Sequence, residues 1–152
     1  MMRARFTEAL KEAMRSRDET AISTIRLILA AIKDRDIAAR SSGNMDGIDD
    51  SQILDLLKKM TKQREESIAL YEQGGRLDLV EQERSEIAVI NRFLPEQMGD
   101  RETEEAVAAV VGEIGAAGIK DMGRVMAELR ARYPGRMDFG KASAAAKRQL
   151  SG

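Results

Sequence analysis

The stretch IAVINRFLPEQM (Ile87–Met98) closes a long amphipathic helix and then, at Pro95, forces a stop in a chain of helical pattern. Proline lacks a backbone N–H and disfavours helical geometry at the residue before it, so a helix arriving from the N-terminal side should end at Leu94. Upstream, the segments are long, charged and periodic. Downstream they are shorter, punctuated by glycine and rich in Arg and Lys. The expectation is an all-α chain in two parts: a four-helix N-terminal bundle over residues 1–98 and a smaller three-helix basic domain over residues 99–152.

The periodicity places the helices. Phe6, Leu10 and Met14 share one stripe, and Ser16-Arg17-Asp18-Glu19 has capping-box spacing before a second helix. That second helix carries Ile22, Ile25, Ile28, Leu29 and Ile32. The run SSGNMDGIDD (Ser41–Asp50) is turn chemistry. Asp50 or Ser51 should then cap a third helix with Ile53, Leu57, Met60, Ile68 and Tyr71 inward, stopped by Gly74-Gly75. A fourth begins at Asp78, with Val80, Ile87, Ile90 and Leu94 inward, so the third and fourth form an αα-hairpin. Beyond Pro95, Thr103, Asp121 and Asp138 are the expected caps of three shorter helices. Val107, Val110, Val111 and Ile114 line the first of these, Met122, Val125, Met126 and Leu129 the second, and Phe139, Ala142, Ala146 and Leu150 the third. No strand pattern and no longer repeat is visible.

Composition narrows the chemistry. The 152 residues contain no Cys, no His and no Trp, and only 3% are aromatic. Disulfides, thiolate nucleophiles, Cys-based metal sites and the commonest general base are therefore excluded. Cores must come from Leu, Ile, Met and Ala. The N-terminal segment carries acids and no apolar run, and no window approaches a membrane span. From this the expectation is a cytoplasmic protein with no membrane partner and no cofactor.

The remaining catalytic options are weak. Ser42, Ser67, Ser85 and Ser143 lack the Gly-rich context of amidases, and Lys141 and Ser143 lie two apart on a helix, on different faces. Glu65, Glu66, Glu81, Glu83 and Glu86 are interleaved with Arg64, Arg84 and Arg92 at ion-pair spacing, which reads as a solvated face in preference to a metal cluster. Gly112–Gly115 and Gly115–Gly118 lack the Gly-Lys-Ser/Thr of a phosphate loop.

Charge offers the clearest asymmetry. From Lys120 onward there are eight bases and three acids, a tail of +5 on a chain of formal net charge −1. A basic end on an acidic body is the footprint of a polyanion partner, and Arg, its main carrier, suits phosphate recognition. The candidate contacts are Gly123, Arg124, Arg130, Arg132, Gly135, Arg136, Lys141, Lys147 and Arg148. The two glycines would let backbone approach backbone, at helix N-termini whose N–H groups face outward. The plainer alternative has the cations solvating small helices, Gly135 ending a helix and Gly123 permitting close packing. Met122, Met126 and Met137 read as core.

TIRLILAAIKDRDI (Thr24–Ile37), KQREESIALYEQGGRLDLVEQERSEI (Lys62–Ile87), RFLPEQM (Arg92–Met98) and MGRVMAEL (Met122–Leu129) together resemble the GatB/YqeY family, in particular its free-standing YqeY-like members. The resemblance implies the two-part helical fold. It also implies kinship with the tail of the B subunit of glutamine-dependent aminoacyl-tRNA amidotransferase, which holds tRNA while catalysis occurs elsewhere. The tail's Gly-x-Val-Met signature matches Gly123-Arg124-Val125-Met126, and its later turn glycine matches Gly135. The catalytic parts of that enzyme, a carbon–nitrogen ligase with glutamine as amide donor, have no match here. The expectation is therefore an accessory tRNA-binding module without catalytic residues, its partners being tRNA and possible contacts among aminoacyl-tRNA synthetase or amidotransferase components. The alternatives are a protein-interaction adaptor with no RNA role and an enzyme using unrecognised carboxylate chemistry.

Overall fold

The computed structural model describes residues 1–151, and these contain seven α-helices, one 3-10 turn and no strand. The chain divides into two compact units, Met1–Leu94 and Pro95–Gly152.

The first unit holds α1 (Met2–Ser16), α2 (Glu19–Ser41), α3 (Asp50–Gln73) and α4 (Leu77–Asn91). Its core is mainly aliphatic, with Ile25, Ile28, Ile53, Leu57 and Ile90 fully buried beside the aromatic Phe6. Phe6 also meets Phe93, ring centroids 4.7 Å apart. The α1–α2 joint differs from expectation. Ser16 is the last residue of α1, Arg17 turns the chain in the left-handed region at φ 57°, and Asp18 is the cap, accepting from Ala21 N–H at 3.1 Å. Four polar residues in succession offer several cap positions, and the left-handed turn at Arg17 settles which one is used.

Further along, Asp49, one residue before the expected Asp50, caps α3 in a full capping box with Gln52. Gly74 and Gly75 end α3, the second at φ 70°. The fourth helix stops at Asn91, four residues before Pro95, because Arg92–Leu94 fold into a turn closed by Phe93 N–H on the Ile90 carbonyl.

Two polar links of this unit have a partner largely shielded from water. Arg3 grips Asp36 through two N–H groups at 2.8 and 2.9 Å, and the same carboxylate accepts the Ile48 N–H at 2.9 Å. Arg3 also donates to the Ile48 carbonyl. The clip ties α1, α2 and the loop before α3 together and holds the Asp36 carboxyl down at about 2, chiefly through Arg3. Gly47, at φ 86°, lies so near that a Cβ there would fall 2.6 Å from Asp36 Oδ1. The second link is Arg64 to Glu86 at 3.3 Å, joining α3 to α4 with both side chains 14% exposed. Beside it, burial and the Glu86 charge push the Glu83 carboxyl above its usual range.

The second unit holds α5 (Asp100–Glu113), the 3-10 turn Ile119–Asp121, α6 (Met122–Arg132) and α7 (Phe139–Ser151). Its core is smaller-grained: Val107, Val110, Val125, Leu129, Met137, Ala142, Ala145 and Ala146. Thr103 does not cap α5. Gly99 is the cap, and Thr103 lies buried in the first turn, its hydroxyl donating to the Gly99 carbonyl at 2.9 Å. Asp121 precedes α6 but accepts from Ala117 N–H, closing the loop instead of the helix. Asp138 caps α7 as expected, accepting from the N–H groups of Gly140 and Lys141.

Candidate nucleic-acid interface

Every candidate residue belongs to the second unit, and the fold sorts them into three groups. Some are structural. Gly135 is buried at φ 74°, and its carbonyl accepts from the Gln97 side chain at 2.6 Å. Arg136 reaches back to the Glu96 carbonyl at 3.0 Å and to Glu102 at 3.2 Å, and its own carbonyl accepts from Met98 N–H. The turn after α6 is thus laced to the segment entering α5. Arg124 donates to the carbonyl of Ile114, the C-cap of α5, at 2.9 Å, satisfying an end that would otherwise lack a partner.

A second group is held by carboxylates. Arg132 lies between Glu113 at 2.5 Å and Glu128 at 2.9 Å, and the two acids raise its pKa further. Lys141 meets Asp100 at 2.9 Å, and Arg148 pairs with Glu104. With Arg136–Glu102, four acids of α5 each face a cation from α6, α7 or the turn between them. The full count explains why. The unit contains nine acids and nine bases, so its side chains carry no net charge. The +5 seen from Lys120 onward is balanced by acids earlier in the same unit. Water screens these exposed pairs, so each holds its partner only weakly.

The third group is open. Gly123, Ala127 and Arg130 fall at i, i+4 and i+7 on one side of α6. A Cβ at Gly123 would meet nothing within 4 Å, so this glycine faces open space and serves no close packing. Arg130 lies over the Phe139 ring at 5.3 Å. From Phe139 a row of i, i+4, i+8 runs along α7 through Ser143 to Lys147. Neither Arg130 nor Lys147 pairs with a carboxylate among the described residues. This seam of α6 and α7 joins small side chains, a hydroxyl and two uncompensated cations.

The acids sequence reasoning overlooked are Asp100, Glu102, Glu104 and Glu113. The run DRETEE (Asp100–Glu105) was visible, but its pairing spans 34 to 44 residues in sequence. The acids of the α3–α4 hairpin likewise form ion pairs, Glu86 with Arg64 and Glu72 and Glu81 with Arg84. No three acidic side chains converge on a metal position among the described residues.

Comparison with known proteins fixes the lineage. The model of the Yqey-like protein family matches residues 3–150. This chain belongs to the YqeY-like family. The resemblance read from its motifs therefore holds over nearly the whole length. Among curated relatives, a Lachancea thermotolerans protein named "Altered inheritance of mitochondria protein 41, mitochondrial" is 36% identical over 60% of this chain and 46% of its own length. A protein of the same name from Pyrenophora tritici-repentis is 31% identical over 84% of this chain and 71% of its own. An uncharacterized Schizosaccharomyces pombe protein is 34% identical over 62% and 73%. The YqeY-like chain spans about half the length of the first relatives it matches.

These names overturn the cytoplasmic expectation, since the relatives are named as mitochondrial proteins. That expectation rested on a missing apolar leader, which bears on secretory export alone. Entry into mitochondria uses amphipathic, Arg-rich leaders with no apolar run. No helix among the described residues is long and apolar enough to cross a membrane.

Proposed function

We propose that the YqeY-like chain is a helical tRNA-binding module, an accessory to tRNA-dependent amidation without catalytic residues of its own. In this reading α1–α4 form a four-helix scaffold and α5–α7 a three-helix head. The observation that carries it is the open α6–α7 seam, where Arg130 and Lys147 keep their charge uncompensated beside the smooth Gly123–Ala127 edge. A surface of that kind admits a sugar–phosphate backbone closely. The match of Gly123-Arg124-Val125-Met126 to the amidotransferase tail supports the same reading through Gly123, since Val125 and Met126 are core. With aromatics so few, base stacking contributes little, and recognition rests on shape and phosphates. Aminoacyl-tRNA synthetase or amidotransferase components are the protein partners this role would bring.

A titration of the protein against folded tRNA and equal-length duplex DNA at several salt concentrations tests it. The expected result is preferential tRNA binding whose log affinity falls with log salt, the slope counting phosphates met. Arg130→Ala with Lys147→Ala should weaken it about tenfold with folding intact. Binding of neither nucleic acid at low salt would sink the reading.

One observation favours a second reading, a protein-interaction adaptor. Leu27, 48% exposed, lines a groove of about 400 Å³ between α2 and α3 whose other walls include Ala30, Ala31, Leu56 and Met60. Under that reading Leu27→Asp abolishes partner capture, and the head variants leave it unchanged.

A further inference from the structure

The ion pairs between α5 and α7 close over a crevice of about 290 Å³, lined by Asp100, Thr103, Glu104, Lys141, Ala144 and Arg148 with Ala145. Lys141 and Arg148 stand two turns apart on one side of α7, roughly 10 Å along its axis. Opposite them, Asp100 and Glu104 stand one turn apart on α5. Gln149 reinforces the contact by donating to the Glu104 carbonyl at 3.2 Å. At the end of the same helix, Glu102 holds Arg136.

We infer that α5 is an internal polyanion that gates a phosphate seat, its carboxylates occupying the cations that an RNA backbone would take. The inference rests on the tRNA reading and adds how that interface is regulated. Asp100 and Glu104 share the side of α5 that meets α7 while Glu102 meets Arg136, and each lies on a cation of the kind that binds phosphate. The carboxylates are 44% to 81% exposed. Exchange is therefore cheap: a displaced carboxylate returns to water, and the guanidinium of Arg148 or Arg136 gains a phosphate able to accept two parallel N–H bonds. The first-turn acids Asp100 and Glu102 keep a favourable place at the positive end of α5 after release. The crevice supplies room for the incoming phosphate without unpacking Ala145 or Ala142. RNA first meets the open α6–α7 seam and then opens the α5 side.

The test is a variant carrying Asp100→Asn, Glu102→Gln and Glu104→Gln, titrated in the full chain against folded tRNA and equal-length duplex DNA. A control carries Glu8→Gln, Glu12→Gln and Glu81→Gln, which removes the same charge and breaks three exposed pairs in the other unit. The gate predicts about tenfold tighter binding for the α5 variant and under about twofold for the control. Equal gains, or none, overturn it. If loss of the first-turn acids unfolds the head, Glu104→Gln alone, beyond the first turn, should still gain about threefold. A gain shared equally by tRNA and DNA supports the gate and overturns the tRNA reading. Preferential tRNA binding without a gain does the reverse, and no binding by any form overturns both.

Discussion

The two units of this chain solve the same packing problem with different materials. The first buries Phe6 and a set of Ile and Leu side chains at helix crossings, and among its ion pairs one, Arg64–Glu86, is largely shielded from water. The second buries mainly Ala and Val, and crosses its helices with exposed ion pairs. Small residues remove less apolar surface from water, so the second core contributes less per residue. Its pairs add register: they fix which side of α5 faces α7 without adding much stability. The difference separates a body filled by large side chains from a head filled by small ones, both of them also carrying exposed ion pairs.

That contrast can be broken at graded strengths. Ile28→Ala should cost the first unit about 3–4 kcal/mol in thermal or denaturant unfolding, as expected for a fully buried aliphatic truncated in place. Ala146→Gly, its counterpart in the second unit, should cost about 1 kcal/mol, mostly backbone entropy. Next, Arg64→Ala should cost about 3 kcal/mol, because it strands the Glu86 charge, half-buried, beside Glu83. An exposed counterpart such as Lys141→Ala should cost under about 1 kcal/mol by the same measurement.

Asp36→Asn should cost about 2 kcal/mol and remove a pH dependence that the native protein shows. The sign follows from the lowered folded pKa. The clip's stabilisation is fully present above the ordinary Asp value near 3.8 and is lost as pH falls from there through about 2. Acid titration of unfolding free energy in native and variant protein checks it. The smallest effect is ionic. In about 1 M salt, hydrogen exchange should report faster opening of α5, while amides of α2 stay as protected as in dilute buffer.

The helices were legible because their stripes are local. Ile25, Ile28 and Ile32 declare one face of α2 whatever packs on them, and Gly74-Gly75 and Asp138 act on their own neighbours. Two caps of the first unit were readable only to within a residue or two, since Ser16 and Asp18, or Asp49, Asp50 and Ser51, offer the same chemistry in adjacent places, while the cap of α5, Gly99, lies four residues before the expected Thr103. The turn that each chain segment makes chooses among them. Charge was the least legible. Lys141 and Arg148 look free in sequence, and nothing nearby reveals that Asp100 and Glu104 stand opposite them once α5 and α7 pack. Within the candidate site, Arg130 and Lys147 have no carboxylate partner among the described residues. Gly135 and Arg136 became parts of a turn, and Arg124 a helix cap.

The balanced charge of the second unit has a kinetic consequence. Long-range steering needs a net field, and nine acids against nine bases leave mainly dipoles, which fade faster with distance. A nucleic acid approaching this head would meet it at an unassisted rate, about 10⁵–10⁶ M⁻¹ s⁻¹, nearly indifferent to ionic strength. Salt would act on the lifetime of the complex instead, once phosphates and side chains are already in contact. Under the proposed function, such a head would sample many polyanions briefly and retain the few whose shape lets both of its faces engage.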